Sequence, residues 1–319
     1  MTIKEKYRIL CKTEDTIPLF SQYWWLDATC GPENWNVVLV EKGGTIMAAL
    51  PFMFKRKYGL HFSIMPPLTQ TLGPWLRPSK GKITAQYNQQ KKLMTELIQG
   101  LPKFDYFSQN FHHTIFNWLP FYWHGFSQTT RYTYILQNIK DHKKIFAGFQ
   151  GNIRGDIKKA LNRFKLKVRW DIEIDSFFDL NELTFNRQRK SFPYSKKTIK
   201  RIDAACADRN ARKIIGAQDA DGRLHAAVYI IWDQHSAYYL MGGSDPNLRR
   251  SGANSLCIWE AIKFASAETE IFDFEGSMIE PVERFFRAFG AQQIPYLRIT
   301  YQKKIVRFLR ALKNLIQSK

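Results

Sequence analysis

The loop Arg249-Arg250-Ser251-Gly252-Ala253-Asn254-Ser255 carries the residue types that hold a phosphate or pyrophosphate group. It runs directly into Leu256–Ala265, an apolar run of helical length. The first N–H groups of a helix have no intrahelical partner and point outward as donors. A small residue at that point lets an anion approach the backbone, and two arginines add charge. The same residues also make an ordinary helix start with two solvated arginines. A short glycine-containing loop is a weak motif and does not separate the two.

Stepping outward, the flanking residues predict the elements that position this loop. Leu224–Trp232 and Ser236–Met241 are rich in β-branched and aromatic residues and flank the short polar turn Asp233-Gln234-His235, which reads as an antiparallel hairpin. A polar turn over Gly242-Gly243-Ser244-Asp245-Pro246 leads to the basic loop and its helix, and Ile271–Glu275 forms a further short strand. Strand, loop, helix, strand is a βαβ unit, so its two strands should be parallel.

The first half of the chain gives a similar order. Trp35–Val40, Thr45–Phe54 and Leu60–Met65 read as a three-stranded meander, followed by an irregular Pro- and Gly-rich turn. A helix over Ile83–Gln99, a strand beginning Phe104-Asp105-Tyr106 and a final strand over Tyr132–Leu136 complete it. In the second half the meander adds Lys213–Ala217, Pro281 starts a helix that Gly290 ends, and Tyr296–Tyr301 is the last strand. The repeated order predicts a divergent duplication: two similar mixed α/β domains, 1–140 and 141–319.

Phe149–Arg169 carries seven cations and an apolar stripe of Ile153, Ile157, Ala160, Leu161 and Phe164, which predicts a basic amphipathic helix. Asn186–Lys190 is a second cationic run, and Ser195 suits the N-cap of a helix from Lys196. Near the C-terminus, Ile305, Phe308, Leu309, Leu312 and Ile316 share one face of another basic helix. That stripe either docks on its own domain, the favoured expectation, or lies on an anionic membrane surface.

Composition narrows the classes. Lys and Arg exceed Asp and Glu by 48 − 28 = 20 in 319 residues, which favours an anionic partner such as nucleic acid, a nucleotide-linked substrate or a membrane face. No run of about 18 apolar residues suggests a transmembrane helix, and the N-terminus lacks an apolar signal core. Cys11, Cys30, Cys206 and Cys257 stand far apart, and the seven histidines show no ligand spacing, so reduced thiols, no metal and a cytoplasmic location are expected.

Two groups of residues in the second half resemble the GNAT acyltransferase fold: Arg249–Leu256, and Phe272-Asp273-Phe274-Glu275-Gly276-Ser277. The run from Glu280-Pro281 through Arg284-Phe285-Phe286 to Phe289-Gly290-Ala291 strengthens the likeness. With Tyr23–Asp27 and Leu68–Gly73 in the first half, the chain is similar to the Fem peptidyltransferase family, which pairs two such domains. The resemblance implies an N-acyltransferase whose donor is an acyl-CoA or an aminoacyl-tRNA, bound at Arg249, Arg250, Ser251, Gly252, Ala253, Asn254 and Ser255. The acceptor would be an amine on an anionic molecule such as a cell-wall precursor. Two departures stand out: the loop holds less glycine than a GNAT loop usually does, and the helical arm of some Fem members is absent.

No Ser/His/Asp or Cys/His signature is present, so direct attack by the amine is expected, with a backbone N–H beside a splayed strand stabilising the oxyanion. Glu275 is then the candidate base and Tyr239 the candidate acid. Each has a plain alternative, a turn-capping carboxylate and a core phenol. The acceptor is expected in a groove lined by Gln70, Arg154, Lys158 and Arg189, with tRNA and peripheral membrane contact as further partners. The competing reading is a catalytically inactive GNAT-fold protein that binds RNA or an anionic membrane surface.

Overall fold

The structure, a computed structural model, describes residues 1–187 and 192–309. The chain forms two compact units, Met1–Arg131 with Pro295–Lys319, and Tyr132–Ile294. The sequence reading divides the chain at 140/141. The units instead divide at 131/132, and residues from 295 onward return to the first.

In the first unit, α1 (Ile3–Thr13) and α2 (Tyr23–Cys30) precede the meander of β1 (Trp35–Lys42), β2 (Thr45–Lys57) and β3 (Leu60–Ile64). A short β4 (Trp75–Leu76) pairs with β2. After α3 (Ile83–Gly100), β5 (Tyr106–Asn110) joins β3 in parallel, at Phe62 opposite Tyr106 and Ser63 opposite Phe107. Then come α4 (Leu119–Trp123) and the start of β6 (Ser127–Gln137). The core of this unit joins Leu50, Phe52, Leu93, Leu97, Phe107, Phe121 and Ile299.

The second unit starts within β6 and continues through α5 (His142–Gly148), α6 (Gly151–Asn162), β7 (Lys167–Arg169), α7 (Ile174–Arg187) and α8 (Lys196–Ala207). Its meander is β8 (Arg212–Gln218), β9 (Leu224–Trp232) and β10 (Ala237–Ser244). Next come α9 (Ala253–Ala265), β11 (Ile271–Asp273), α10 (Glu280–Arg287) and the start of β12 (Gln292–Gln302). β10 and β11 are parallel, as the βαβ reading requires.

The two units share a pairing pattern: a meander, a parallel strand, then an antiparallel closing strand. The closing strands are exchanged in sequence. β6 closes the second unit by pairing with β11, and β12 closes the first by pairing with β5. Reading each half by itself assigned these strands the other way round.

Local chemistry explains most element ends. Asp233 Oδ1 accepts from the His235 and Ser236 amides, both at 2.8 Å, and makes the tight turn between β9 and β10. Ser195 Oγ accepts from the Thr198 amide at 3.2 Å and caps α8. β9 is buried over nearly its whole length, as a strand covered on both faces must be.

Three expectations change. The basic helix predicted over 149–169 is interrupted: α6 ends at Asn162, Lys165 takes a left-handed φ of 51°, and β7 pairs with β8. The predicted turn at Gly242-Gly243-Ser244 is strand, because β10 continues through it. In the C-terminal helix, Ile305, Phe308 and Leu309 are exposed and Val306 is the buried residue; Leu312 and Ile316 lie outside the described residues.

Phe149 is buried among Phe146, Trp259 and Phe289, with ring centroids 5.1–5.6 Å away. Phe149→Ala should therefore lower the unfolding free energy of the second unit by about 3–5 kcal/mol, read by chemical denaturation.

Candidate active site at the parting of β10 and β11

β10 and β11 stay in register for only two pairs, Ala237 opposite Phe272 and Tyr238 opposite Asp273. They then part. The Phe274 amide donates to the Tyr134 carbonyl at 2.9 Å, so this side of the gap follows β6. Glu275 (φ 57°) and Gly276 (φ 60°) are both left-handed. A side chain on Gly276 would meet the Tyr132 carbonyl oxygen at 2.1 Å, so only glycine lets the turn close over β6. Glu275, which is not glycine, is strained in that conformation, and strain of this kind concentrates at functional positions.

The other side of the gap is built differently. The β9–β10 register shifts between Tyr239 and Met241, which leaves Leu240 as a bulge. Further along, α7 partners β10. Asn181 Nδ2 donates to the Gly242 carbonyl at 2.6 Å, and the Ser244 amide donates to Thr184 Oγ1 at 3.1 Å. Gly243 permits this approach, since a side chain there would strike the Asn181 backbone at 2.6 Å. Tyr239–Met241 therefore lies between the last β11 pair and the first α7 contact.

Titratable groups gather around this gap. The Glu275 amide donates to Asp273 Oδ1 at 2.7 Å, and the Thr133 hydroxyl donates to the same oxygen. Burial raises the Asp273 carboxyl to about 6 against these two bonds, which lower it. Burial, and next the Asp273 charge, push the Glu275 carboxyl well above the ordinary range. Tyr194, whose hydroxyl donates to Asn181 Oδ1 at 3.4 Å, is raised by burial and by the Glu275 charge. Tyr239 is raised chiefly by burial, with smaller contributions from Cys257 and Tyr194. Its ring packs on Phe286 at 5.4 Å, and its hydroxyl fills the space a side chain on Gly242 would take.

The basic loop is arranged as follows. Arg249 and Arg250 are exposed on a 3-10 turn, while Ser251, Gly252, Ala253 and Ser255 are buried. Gly252 has a φ of 80° and N-caps α9, so the helix starts three residues earlier than the apolar run suggests. Its missing side chain is needed by α6: a Cβ would lie 2.3 Å from the Asp156 carbonyl oxygen. Ser251 Oγ accepts from the Ala253 amide at 3.4 Å. Asn254 Oδ1 is buried with no hydrogen-bond partner among the described residues.

The residues expected to line the acceptor site are placed as follows. Gln70, in the first unit, donates from Nε2 to the Tyr296 hydroxyl at 3.2 Å. Arg154 holds the corner between α5 and α6, donating to the Ala147 carbonyl at 2.9 Å and the Phe149 carbonyl at 2.5 Å. Lys158 is exposed one turn further along α6. Arg189 lies outside the described residues. Asp273, Asn181, Thr184 and Tyr194 also border the candidate site and are not among the site residues the sequence singles out. A lone carboxylate between Phe272 and Phe274 was the available signal for Asp273.

A raised carboxyl stabilises the fold below its unfolded-state value and loses that contribution as pH rises through its folded value. For Asp273 the window runs from the ordinary 3.8 to about 6. Relative to Asp273→Asn, the native chain should lose of the order of 2–3 kcal/mol of stability across that window. Denaturation of both proteins at pH 4 and pH 7 measures the difference.

A family model for the acetyltransferase (GNAT) domain matches residues 147–280. No curated protein sequence matches the chain. Among solved structures it is similar to FemX, with 11% identity, 93% of this chain and 96% of that chain covered, and a TM-score of 0.64. It is also similar to the C-terminal domain of a putative lysylphosphatidylglycerol synthetase from Agrobacterium fabrum, with 10% identity, 99% and 97% covered, and a TM-score of 0.54. A tandem GNAT protein from the clavulanic acid biosynthesis pathway gives 10% identity, 94% of each chain and a TM-score of 0.53. Residues 147–280, within the second unit, therefore match the GNAT domain model, and the chain shares the fold of FemX and of the tandem GNAT protein.

Proposed function

We propose that the protein transfers an acyl or aminoacyl group to an amine at the gap between β10 and β11. The observation that carries this reading is the half-buried Glu275, its Oε1 enclosed, held by a strained turn where the two strands part. The amine nitrogen attacks the donor carbonyl carbon. Its proton passes to Glu275, which burial makes a readier proton acceptor than an ordinary carboxylate. The oxyanion takes a backbone N–H from the bulged Tyr239–Met241 span. The bond from carbon to the leaving oxygen or sulfur then breaks, and Tyr239, still protonated at neutral pH, returns a proton to the leaving atom.

A charged tRNA suits the donor side better than CoA. α6 packs against Gly252 at the start of α9, where a Cβ would meet the Asp156 carbonyl, and the Ala253 amide is taken up by Ser251 Oγ. The exposed cations are Arg249 and Arg250, whose side chains meet phosphates spread along a nucleic-acid backbone. For the acceptor, the net charge of +20 and the exposed Lys158 favour an anionic molecule carrying an amine. The resemblance to the Fem family supports a cell-wall precursor as acceptor, and the name of the lysylphosphatidylglycerol synthetase supports a lipid one. The exposed Arg249 and Arg250 equally support a second reading, a GNAT-fold protein that binds RNA without turnover.

Glu275→Gln should lower turnover by about 100-fold or more and abolish the rise of kcat with pH that its titration produces. Unchanged turnover removes Glu275 as the base. Thermal shift separates the donors, because a ligand of the native state raises Tm. A salt-sensitive rise with tRNA and none with CoA is expected. A rise with CoA alone reverses the donor assignment, and tRNA binding without transfer from charged tRNA supports the second reading.

A further inference from the structure

The first unit carries an aromatic surface that its core does not use. Phe116 is 68% exposed, and α4 adds Leu119 (48%), Tyr122 (58%) and Trp123 (54%). On α3, Ile83 and Tyr87 are exposed one turn apart, hence on the same face. Lys91, one turn further, places Nζ 4.9 Å from the Trp123 ring centroid, and Asn117 donates to Gln90 at 3.2 Å. These two contacts join both helices into one patch. Its presentation is fixed from beneath, because Pro120 and Phe121 are buried and Phe121 packs on Phe111 and Phe126.

The charge around the patch has one sign. Lys80, Lys82, Lys91 and Lys92 are exposed beside it. Residues 77–95 and 106–131 contain no Asp or Glu. Exposed aromatic groups of this extent mark an interaction surface rather than scattered surface residues.

We propose that this α3–α4 surface rests on the interfacial layer of a bilayer containing anionic lipid. Trp and Tyr rings sit at headgroup depth, lysines meet anionic headgroups, and Ile83, Leu119 and Phe116 enter the acyl boundary. A second copy fits poorly, because a two-fold contact would set these lysines against each other without a carboxylate to pair them. A nucleic-acid strand would stack on the rings but gain nothing from Ile83 and Leu119. The inference does not depend on the chemistry proposed for Glu275.

The test is co-sedimentation of the full chain with vesicles of phosphatidylglycerol and phosphatidylcholine, and of phosphatidylcholine alone, at several salt concentrations. The expected result is binding to the anionic vesicles that weakens with salt. The Phe116→Ser/Trp123→Ser variant should lose affinity by about tenfold or more with no fall in Tm, since both side chains are exposed. Three results overturn the proposal. One is wild-type affinity in the double variant, which would move attention to Ile305 and Phe308. The others are failure of the native chain to bind anionic vesicles, and patch-dependent tRNA binding without vesicle binding.

Discussion

The geometry of the second unit depends on two strands agreeing for two residue pairs and then parting. A continued ladder would satisfy the backbone of both strands and leave no room between them. Separation requires each strand to find other partners. Phe274 finds Tyr134 on β6, and Gly242 and Ser244 find Asn181 and Thr184 on α7. The strained Glu275-Gly276 step is where one side turns away. The catalytic proposal follows from that compromise: a carboxyl is left in a dry place, where holding a proton is easier than holding a charge.

Glycines at this site serve contacts more than flexibility. Gly243 admits the α7 backbone, Gly276 admits that of β6, and Gly252 admits that of α6. The basic loop shows how one sequence feature supports two physical accounts. A small residue at a helix start allows close approach, and the approaching group is the Asp156 carbonyl. Arg249 and Arg250 remain on the surface, free of that packing.

Much of the fold is legible in the sequence, because the meanders, the parallel β10–β11 pair and the helices α3, α8, α9 and α10 announce themselves through periodicity and turn chemistry. The Asp233 turn and the Ser195 cap are cases where one side chain fixes an element end. What stays hidden depends on partners far away in the chain. α7 is not read from the sequence, and its role rests on Asn181 and Thr184 meeting β10. The interruption of the basic helix needs β8 as a pairing partner for β7. Glu275 and Tyr239 stand out in the sequence by their position beside the βαβ unit, and the structure places both at the candidate site. The proton affinity of Asp273 is not legible there, since it comes from burial that no local pattern encodes.

The exchanged closing strands carry a consequence for synthesis. Residues 295–302 complete the sheet edge at β5, yet they are translated after the whole of the second unit. During elongation β5 therefore waits with one edge uncovered while nearly two hundred later residues emerge from the ribosome. An emerging chain in that condition is exposed to edge-to-edge association, so the first unit reaches its final form only after the second has been translated.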